Sequence, residues 1–333
     1  VPVRVRSREG LGIGRKGWGV RRLRPRSFVV DLWSSWTRWF VRLAGHQDWV
    51  LALVVHPHLP LLISSGGDSV VRVWDLETRS RIRTLDGHGA WVRSLGLDPA
   101  GRRLASGSDD GDVRLWDLDS GACLHTLVCR SIGDVCAVVW DASGALIASG
   151  SEDSIVRMWD AASGALRHTL EGHSLSVNAL AAHPTDDLLA SGSDDNTVRV
   201  WRWSSGACVR TLAGHTGAVY SLAASTSWLV SGSADKTVRV WSWTSGECVR
   251  VLDGFTGPLD LNSLSWRDST LVTLENDGTV RVWDASEEDP KEWSCVGSLP
   301  SKASSGYGVA AVGGGRVAHT APGDETSIAV WGV

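Results

Sequence analysis

Apolar and polar positions alternate over short stretches of this chain, and one stretch keeps returning. Ser106-Gly107-Ser108-Asp109-Asp110-Gly111-Asp112-Val113-Arg114-Leu115-Trp116-Asp117 comes back in nearly the same words at 149–160, 191–201 and 231–241. In Thr197–Trp201 the period is two, so Val198 and Val200 share one face and Arg199 and Trp201 the other. Each copy predicts a β-hairpin. One strand ends in Ser-Gly-Ser, an Asp-bearing turn follows, and an alternating strand closes on Trp.

The closing tryptophans are Trp33, Trp74, Trp116, Trp159, Trp201, Trp241, Trp283 and Trp331, spaced by 41, 42, 43, 42, 40, 42 and 48 residues. A period of about 40–45, with Gly-His upstream and Trp-Asp downstream, is that of a four-stranded propeller blade. On these motifs the chain resembles the WD-repeat family of β-propellers over roughly residues 37–333. A single four-stranded sheet cannot bury both faces. Stacking blades into a ring does so, with each Trp wedged between neighbours.

The fold expected is all-β: a seven-bladed β-propeller of four-stranded antiparallel blades. Inner triplets of strands fall near 46–74, 88–116, 130–159, 173–201, 215–241, 256–283 and 303–331. Outer strands fall at 37–43, 79–85, 122–128, 165–170, 207–212, 247–252 and 292–299. The last triplet ends at Trp331-Gly332-Val333 with no fourth strand of its own. Thr37–Leu43 is therefore expected to complete the final blade, the N-terminal closure that the resemblance implies. Residues 28–33 also read as a strand, the relic of a further repeat.

The 19 Trp and 37 Gly among 333 residues fit many short strands joined by tight turns. The net charge of −4 is unevenly spread. Residues 1–26 carry nine Lys/Arg against Glu9, a net of +8, which leaves −12 on the rest. Residues 1–36 are expected to be a basic, largely disordered extension. Its alternatives are an import-like patch at 21–26, an Arg-rich transit segment and a nucleic-acid tail. The chain does not begin with Met, which reads as a fragment or an imperfect gene model.

No apolar run reaches the roughly 18–20 residues of a membrane span. Cys123, Cys208 and Cys248 occupy equivalent places in separate repeats, too far apart to bridge, and Cys129 and Cys136 lack metal-site spacing. The cysteines read as small buried hydrophobes in a reducing compartment, with no metal and no cofactor.

Four repeats hold a complete polar quartet: His46, Ser64, Asp68, Trp74; His88, Ser106, Asp110, Trp116; His173, Ser191, Asp195, Trp201; and His215, Ser231, Asp235, Trp241. Ser, His and Asp together suggest a hydrolase. Four copies argue against it, because an active site needs one constellation and a scaffold needs one per blade. The resemblance implies a buried network from His through Asp or Ser to the Trp N–H. The third repeat has Cys129-Arg130 in place of Gly-His, the sixth has Gly254-Phe255 and Thr273, and the seventh keeps only Trp331 with Glu325 for Asp. The sixth and seventh units are expected to be the least rigid. Arg72, Arg114, Arg157, Arg199, Arg239 and Arg281, each two residues before a Trp, read as a pleat position beside the indole and not as a polyanion groove.

The resemblance also implies a docking face at the positions flanking the first inner-strand Val and preceding the hairpin Asp. Here these are Trp49, Leu51 and Gly67; Trp91, Arg93 and Asp109; Asp134, Cys136 and Glu152; Ser176, Asn178 and Asp194; Ala218, Tyr220 and Ala234; Asp260, Asn262 and Asn276; and Tyr307 and Asp324. Asp109, Asp134, Glu152, Asp194 and Asp260 face Arg93 alone, and Trp49, Trp91 and Tyr220 supply aromatic anchors. A rim of this kind suits a Lys/Arg-bearing peptide. Arg positions that would read a phosphopeptide are missing apart from Arg93.

The expected function is a non-catalytic scaffold for protein–protein interaction: a monomeric propeller inside a larger complex, cytoplasmic or nuclear, not membrane-bound. The alternative is a substrate-recognition adaptor of a ubiquitin ligase. An enzyme would need an unrepeated carboxylate or metal cluster in the channel. A nucleic-acid binder would act through residues 1–26 alone.

Overall fold

A computed structural model describes residues 29–32, 43, 45–129, 133–277, 279–286, 288–299, 309–311, 316–321 and 327–332. The extension at 1–28, most of Thr37–Leu43, and the rim positions Tyr307 and Asp324 with Glu325 lie outside the described residues. Side chains are described from Leu43 to residue 298.

Strands follow the alternating pattern closely. Blade one is Val50–Val55, Leu61–Gly66, Val71–Asp75 and Ser80–Leu85. Blade two is Val92–Leu97, Arg103–Ser108, Asp112–Asp117 and Cys123–Val128. Blade three is Val135–Trp140, Leu146–Ser151, Val156–Asp160 and Leu166–Leu170. Blade four is Val177–Ala182, Leu188–Ser193, Val198–Arg202 and Cys208–Leu212. Blade five is Val219–Ala224, Trp228–Ser233, Val238–Ser242 and Cys248–Leu252. Blade six is Leu259–Arg267, Thr270–Glu275, Val280–Asp284 and Ser294–Leu299, with a short 3-10 turn at Pro290–Glu292 before its outer strand. Strands of each blade pair in chain order and are antiparallel throughout.

Six blades of this antiparallel kind make up the propeller, and the expectation of seven is corrected by the last sheet. That sheet is ordered Val29–Leu32, Ser327–Gly332, Arg316–Ala321, Val309–Ala311. Its outer strand runs parallel to its neighbour, with Val29 opposite Ser327 and Leu32 opposite Val330. The sheet is mixed and is not a copy of the repeat unit. A hairpin turn forces an outer strand to run antiparallel, whereas a strand brought in from the far end of the chain has no such turn and can pair in either direction. The strand that takes this slot is Val29–Leu32 and not Thr37–Leu43. Of the latter only Leu43 is described, and it is buried.

The inner strands pack side by side in a closed circuit. Each of blades one to six touches the next, and blade six returns to blade one through Val309–Ala311. Between blades the core is apolar on both sides. Trp116 packs with Val71 and Val73 of blade one, Trp159 with Val113 and Leu115 of blade two, and Trp201 with Val156 and Met158 of blade three. Trp241 and Trp283 do the same against blades four and five. Every hairpin tryptophan in blades one to six is thus a wedge into the blade before it or, for Trp74, a buried counterpart at 2% exposure.

One irregularity recurs where the channel opens. In blades one to five a single residue near the start of the inner strand has no cross-strand partner: Leu51, Arg93, Cys136, Asn178 and Tyr220. Each is a β-bulge, which bends the strand and re-aims one side chain. In blade six the break is wider, and residues 260–263 lie between paired Leu259 and Leu264.

Candidate functional site

Two sets of polar residues stand out, and they do different work. The first is the repeated quartet. His88 Nε2 lies 2.7 Å from Ser106 Oγ, His88 Nδ1 lies 2.8 Å from Asp110, and Trp116 Nε1 donates to Ser106 Oγ at 2.8 Å. The other three quartets repeat this geometry. His46, His173 and His215 sit 2.7–2.8 Å from Ser64, Ser191 and Ser231. The same histidines sit 2.8–2.9 Å from Asp68, Asp195 and Asp235. Trp74, Trp201 and Trp241 each donate to the quartet serine at 2.8 Å.

The partners fix the direction of the chain in the second, fourth and fifth blades. Indole N–H donates to serine oxygen, serine O–H to Nε2, and Nδ1–H to the carboxylate, which assigns a neutral imidazole. Burial lowers the pKa of all four histidines and outweighs the pull of their aspartates. Burial also opposes the charge on Asp68 and Asp235. Hydrogen bonds from His46, Gln47 N and Arg72 nevertheless hold Asp68 at about 2, and those from Thr237, His215 and Thr216 N hold Asp235 at about 2. Each aspartate also accepts the N–H that follows its histidine: Gln47, Gly89, Ser174 and Thr216 at 2.9, 2.9, 3.1 and 3.0 Å. The quartet therefore pins the loop entering a blade to the hairpin turn and to the Trp wedge. The quartet serines are fully buried.

The arginines two residues before each Trp lie on the same face as the indole. At Gly87 an added Cβ would come within 2.7 Å of Arg114 and 3.3 Å of the Trp116 ring, which is why the residue before His88 has no side chain. Blade three puts Cys129 in this place. It is buried, and burial pushes its thiol up to about 11. Cys136 is buried as well, but Cys123, Cys208, Cys248 and Cys295 are exposed on outer strands, which corrects the reading of all the cysteines as buried. Outer strands have one face toward solvent, so small residues there are not enclosed.

The second set surrounds the mouth of the central channel. A cavity of about 350 Å³ opens there, lined by the bulge residues Leu51, Arg93, Cys136, Asn178, Tyr220 and Asn262, with Trp49, Trp91, Glu152, Ser176, Asp194 and Asp260 around them. The bulges explain why these side chains converge, since each turns one residue of an otherwise buried inner strand into the channel. Trp49 and Trp91 sit with ring centroids 5.9 Å apart and are 37% and 38% exposed.

Charge is not uniform around the mouth. Arg93 bridges two blades: it pairs through Nε and Nη2 with Asp109, and Nη2 lies 3.1 Å from Asp134. Burial opposes its charge, but Asp109 overrides this and raises its pKa. The rim arginine is thus held by its own aspartates. Asn178 donates to Asp194 at 2.6 Å, and Asp260 accepts from Leu261 N at 2.8 Å. The Asp134 carboxyl is raised by burial and then by the neighbouring Asp109 and Glu152, and Asp260 is raised by burial. Tyr220 is raised by burial and by Asp194 and Asp260. Negative groups crowd the mouth, and among the described residues Arg93 is the one cation between them. Gly67, Asp109, Asp134, Ala218, Ala234 and Asn276 are rim positions that do not line the cavity.

Sequence reasoning missed the ties on the opposite face. His56 Nε2 donates to Gly101 O across to blade two, and His183 Nε2 donates to Thr226 O across to blade five, both at 2.9 Å. Their Nδ1 atoms accept backbone N–H groups of the following turn, Leu59 and Asp186, each at 2.9 Å. The His-Pro pair that ends the inner strand at 56–57 and 183–184 is a signal that points to them. In blade six, sequence reasoning saw a missing network where another stands. Glu275, fully buried, accepts from Thr256 N and Oγ1 at 2.7 and 2.9 Å and pairs with Arg281 at 3.0 Å, whose guanidinium lies 4.7 Å from the Phe255 ring.

Among the described residues no three His, Cys, Asp or Glu converge as a metal site, and no helix is long and apolar enough to cross a membrane. Short segments resemble curated proteins. A stretch of 62 residues is 39% identical to nuclear distribution protein nudF 2 of Talaromyces marneffei, covering 18% of this chain and 14% of that protein. Another of 57 residues is 39% identical to nuclear distribution protein nudF of Aspergillus niger, covering 17% and 13%. A third of 36 residues is 53% identical to nuclear distribution protein PAC1 of Meyerozyma guilliermondii, covering 11% and 7%. The chain thus spans about a seventh or less of these relatives. The family model described as WD domain, G-beta repeat matches residues 38–75, 79–117, 121–160, 164–202, 206–242 and 246–284, six repeats that supply the inner triplets of the six antiparallel blades, and the chain belongs to the WD40-repeat family.

Proposed function

We propose that this propeller is a non-catalytic scaffold that holds a partner protein by a Lys- or Arg-bearing segment laid across the mouth of its channel. The observation that carries the reading is the crowding of Asp194 and Asp260 around Tyr220, with Glu152 in the same cavity, whose one arginine among the described residues is already taken by Asp109 and Asp134. A cation entering there relieves like-charge repulsion and finds a π-face beside it. Trp49 and Trp91 form a half-exposed aromatic shelf at the edge, the residue type that anchors interfaces.

A scaffold role also accounts for what the quartets do. They repeat, they are buried, and they consume their own hydrogen-bonding capacity in holding turns. Placement in the cytoplasm or nucleus fits a chain with four exposed free thiols.

The test is a peptide array varying one central residue among Lys, Arg, Gln and Glu, probed with purified protein. Lys- and Arg-centred peptides are expected to bind, with Asp194→Lys reducing the signal at least tenfold. Equal binding of Glu-centred peptides, or no effect of Asp194→Lys in a folded variant, overturns the reading.

A further inference from the structure

Two adjoining cavities lie along the inner strands. The mouth cavity of about 350 Å³ and a second cavity of about 430 Å³ beneath it share three lining residues: Asn178, Tyr220 and Asn262. Asn262 is unlike the others. It lies in the wide bulge of blade six and has φ of +55°, the left-handed region that non-glycine residues enter at some cost. Its carboxamide Nδ2 reaches across the channel and donates to Leu51 O at 3.2 Å and Arg93 O at 3.1 Å. Those two carbonyls belong to the bulges of blades one and two. One side-chain amide therefore joins blade six to two blades on the other side of the mixed sheet.

We propose that Asn262 is the floor of the binding mouth and sets how deep a partner's cationic side chain can enter. This deepens the reading of the mouth as a Lys/Arg site and rests on it. The amide occupies the two backbone acceptors that a cationic head group descending the channel would otherwise meet. A short side chain stops above Asn262 among the carboxylates. A longer one must displace the Nδ2 hydrogen bonds, which at 3.2 and 3.1 Å lie at the long end of the N–H···O range. Replacing Asn262 with Gly suits the φ of this position and removes the floor, so the two cavities become continuous. Asn262 is thus a specificity-determining residue for ligand length.

The experiment measures the affinity of wild-type protein and Asn262→Gly for one peptide whose central residue is diaminobutyrate, ornithine, lysine or homolysine, by fluorescence anisotropy. For the wild type, affinity is expected to peak at ornithine or lysine and fall for homolysine. For Asn262→Gly the peak is expected to move to the longer chains, with the homolysine-to-ornithine affinity ratio rising at least fivefold. An unchanged length profile overturns the floor while leaving the mouth intact. Failure of all four peptides to bind wild-type protein overturns the mouth, and the floor with it. A second measurement needs no variant: the side-chain amide resonances of Asn262 in wild-type protein are expected to shift on adding the homolysine peptide and to stay in place on adding the diaminobutyrate peptide. A shift of equal size with both peptides contradicts the proposal.

Discussion

Blades two and six hold their hairpins by different chemistry in the same place. In blade two, Asp110, the neutral His88 imidazole and Ser106 form a relay that ends on the Trp116 indole. In blade six, Phe255 replaces the histidine, and Thr273 meets Trp283 through one hydrogen bond of 3.2 Å. Burial of a carboxylate then takes over. Glu275 stands where blade two has Ser108 and gathers the loop N–H of Thr256, its hydroxyl and Arg281. What both solutions share is that the loop before the inner strand is fastened to the hairpin by an acceptor buried under it. The identity of the acceptor is free, and the need to satisfy the loop's N–H groups is not.

The largest effect expected from breaking this comparison is at the wedges. Trp116→Ala should cost about 3–5 kcal/mol in urea unfolding, since it empties a site packed from two blades. Trp283→Ala should cost less, because Trp283 is 7% exposed against 2% for Trp116. Equal losses would mean that the two interfaces are equivalent despite their different fastening. Next comes the hydroxyl. Ser106→Ala removes the partner of both Trp116 Nε1 and His88 Nε2 and should cost about 1–3 kcal/mol. Thr273→Ala, with one bond lost, should cost less than half as much in the same assay.

Acidification separates the blades more gently. The four quartet histidines have folded-state pKa values below 6.5, so the unfolded chain takes up protons first. Their contribution is complete above about pH 6.5 and is lost as pH falls through that value toward the lower folded pKa. Asp68 and Asp235, held at about 2, add a second loss between about pH 4 and 2. Blade six has Phe255 in place of a histidine. Hydrogen exchange should therefore show Arg103–Ser108 losing more protection than Thr270–Glu275 between pH 7 and 5.5. The smallest effect is at the rim. Arg93→Gln should leave stability within about 1 kcal/mol, since the pair it breaks is partly exposed, while loosening Asp109 and Asp134.

How much of this was legible in the sequence depends on whether a feature repeats. The quartets, the Trp wedges and the strand order were visible because each recurs at a fixed spacing, and repetition also argued against catalysis. Glu275 was not visible, because a single Glu for Ser two places after Thr273 looks like loss of a motif until its partners are seen. The convergence of Leu51, Arg93, Asn178 and Tyr220 was anticipated by position, but their cause, a one-residue bulge, is a matter of register that alternation does not record. Asn262 was anticipated as a rim position, but its reach to the carbonyls of blades one and two depends on a wider break in the same register. The closing strand was misassigned because Thr37–Leu43 and Val29–Leu32 both alternate acceptably. The parallel pairing that decides between them is made with a strand about 300 residues away.

The account rests most on the carboxylate-lined mouth. It is tested directly by titrating a Lys- or Arg-centred peptide into isotope-labelled protein and mapping the backbone amides that shift. The prediction is a cluster at Leu51, Arg93, Asn178 and Tyr220, weakened by salt and abolished by Asp194→Lys. Shifts confined to the outer strands, such as Cys123–Val128 or Cys248–Leu252, with the mouth unmoved, would contradict it.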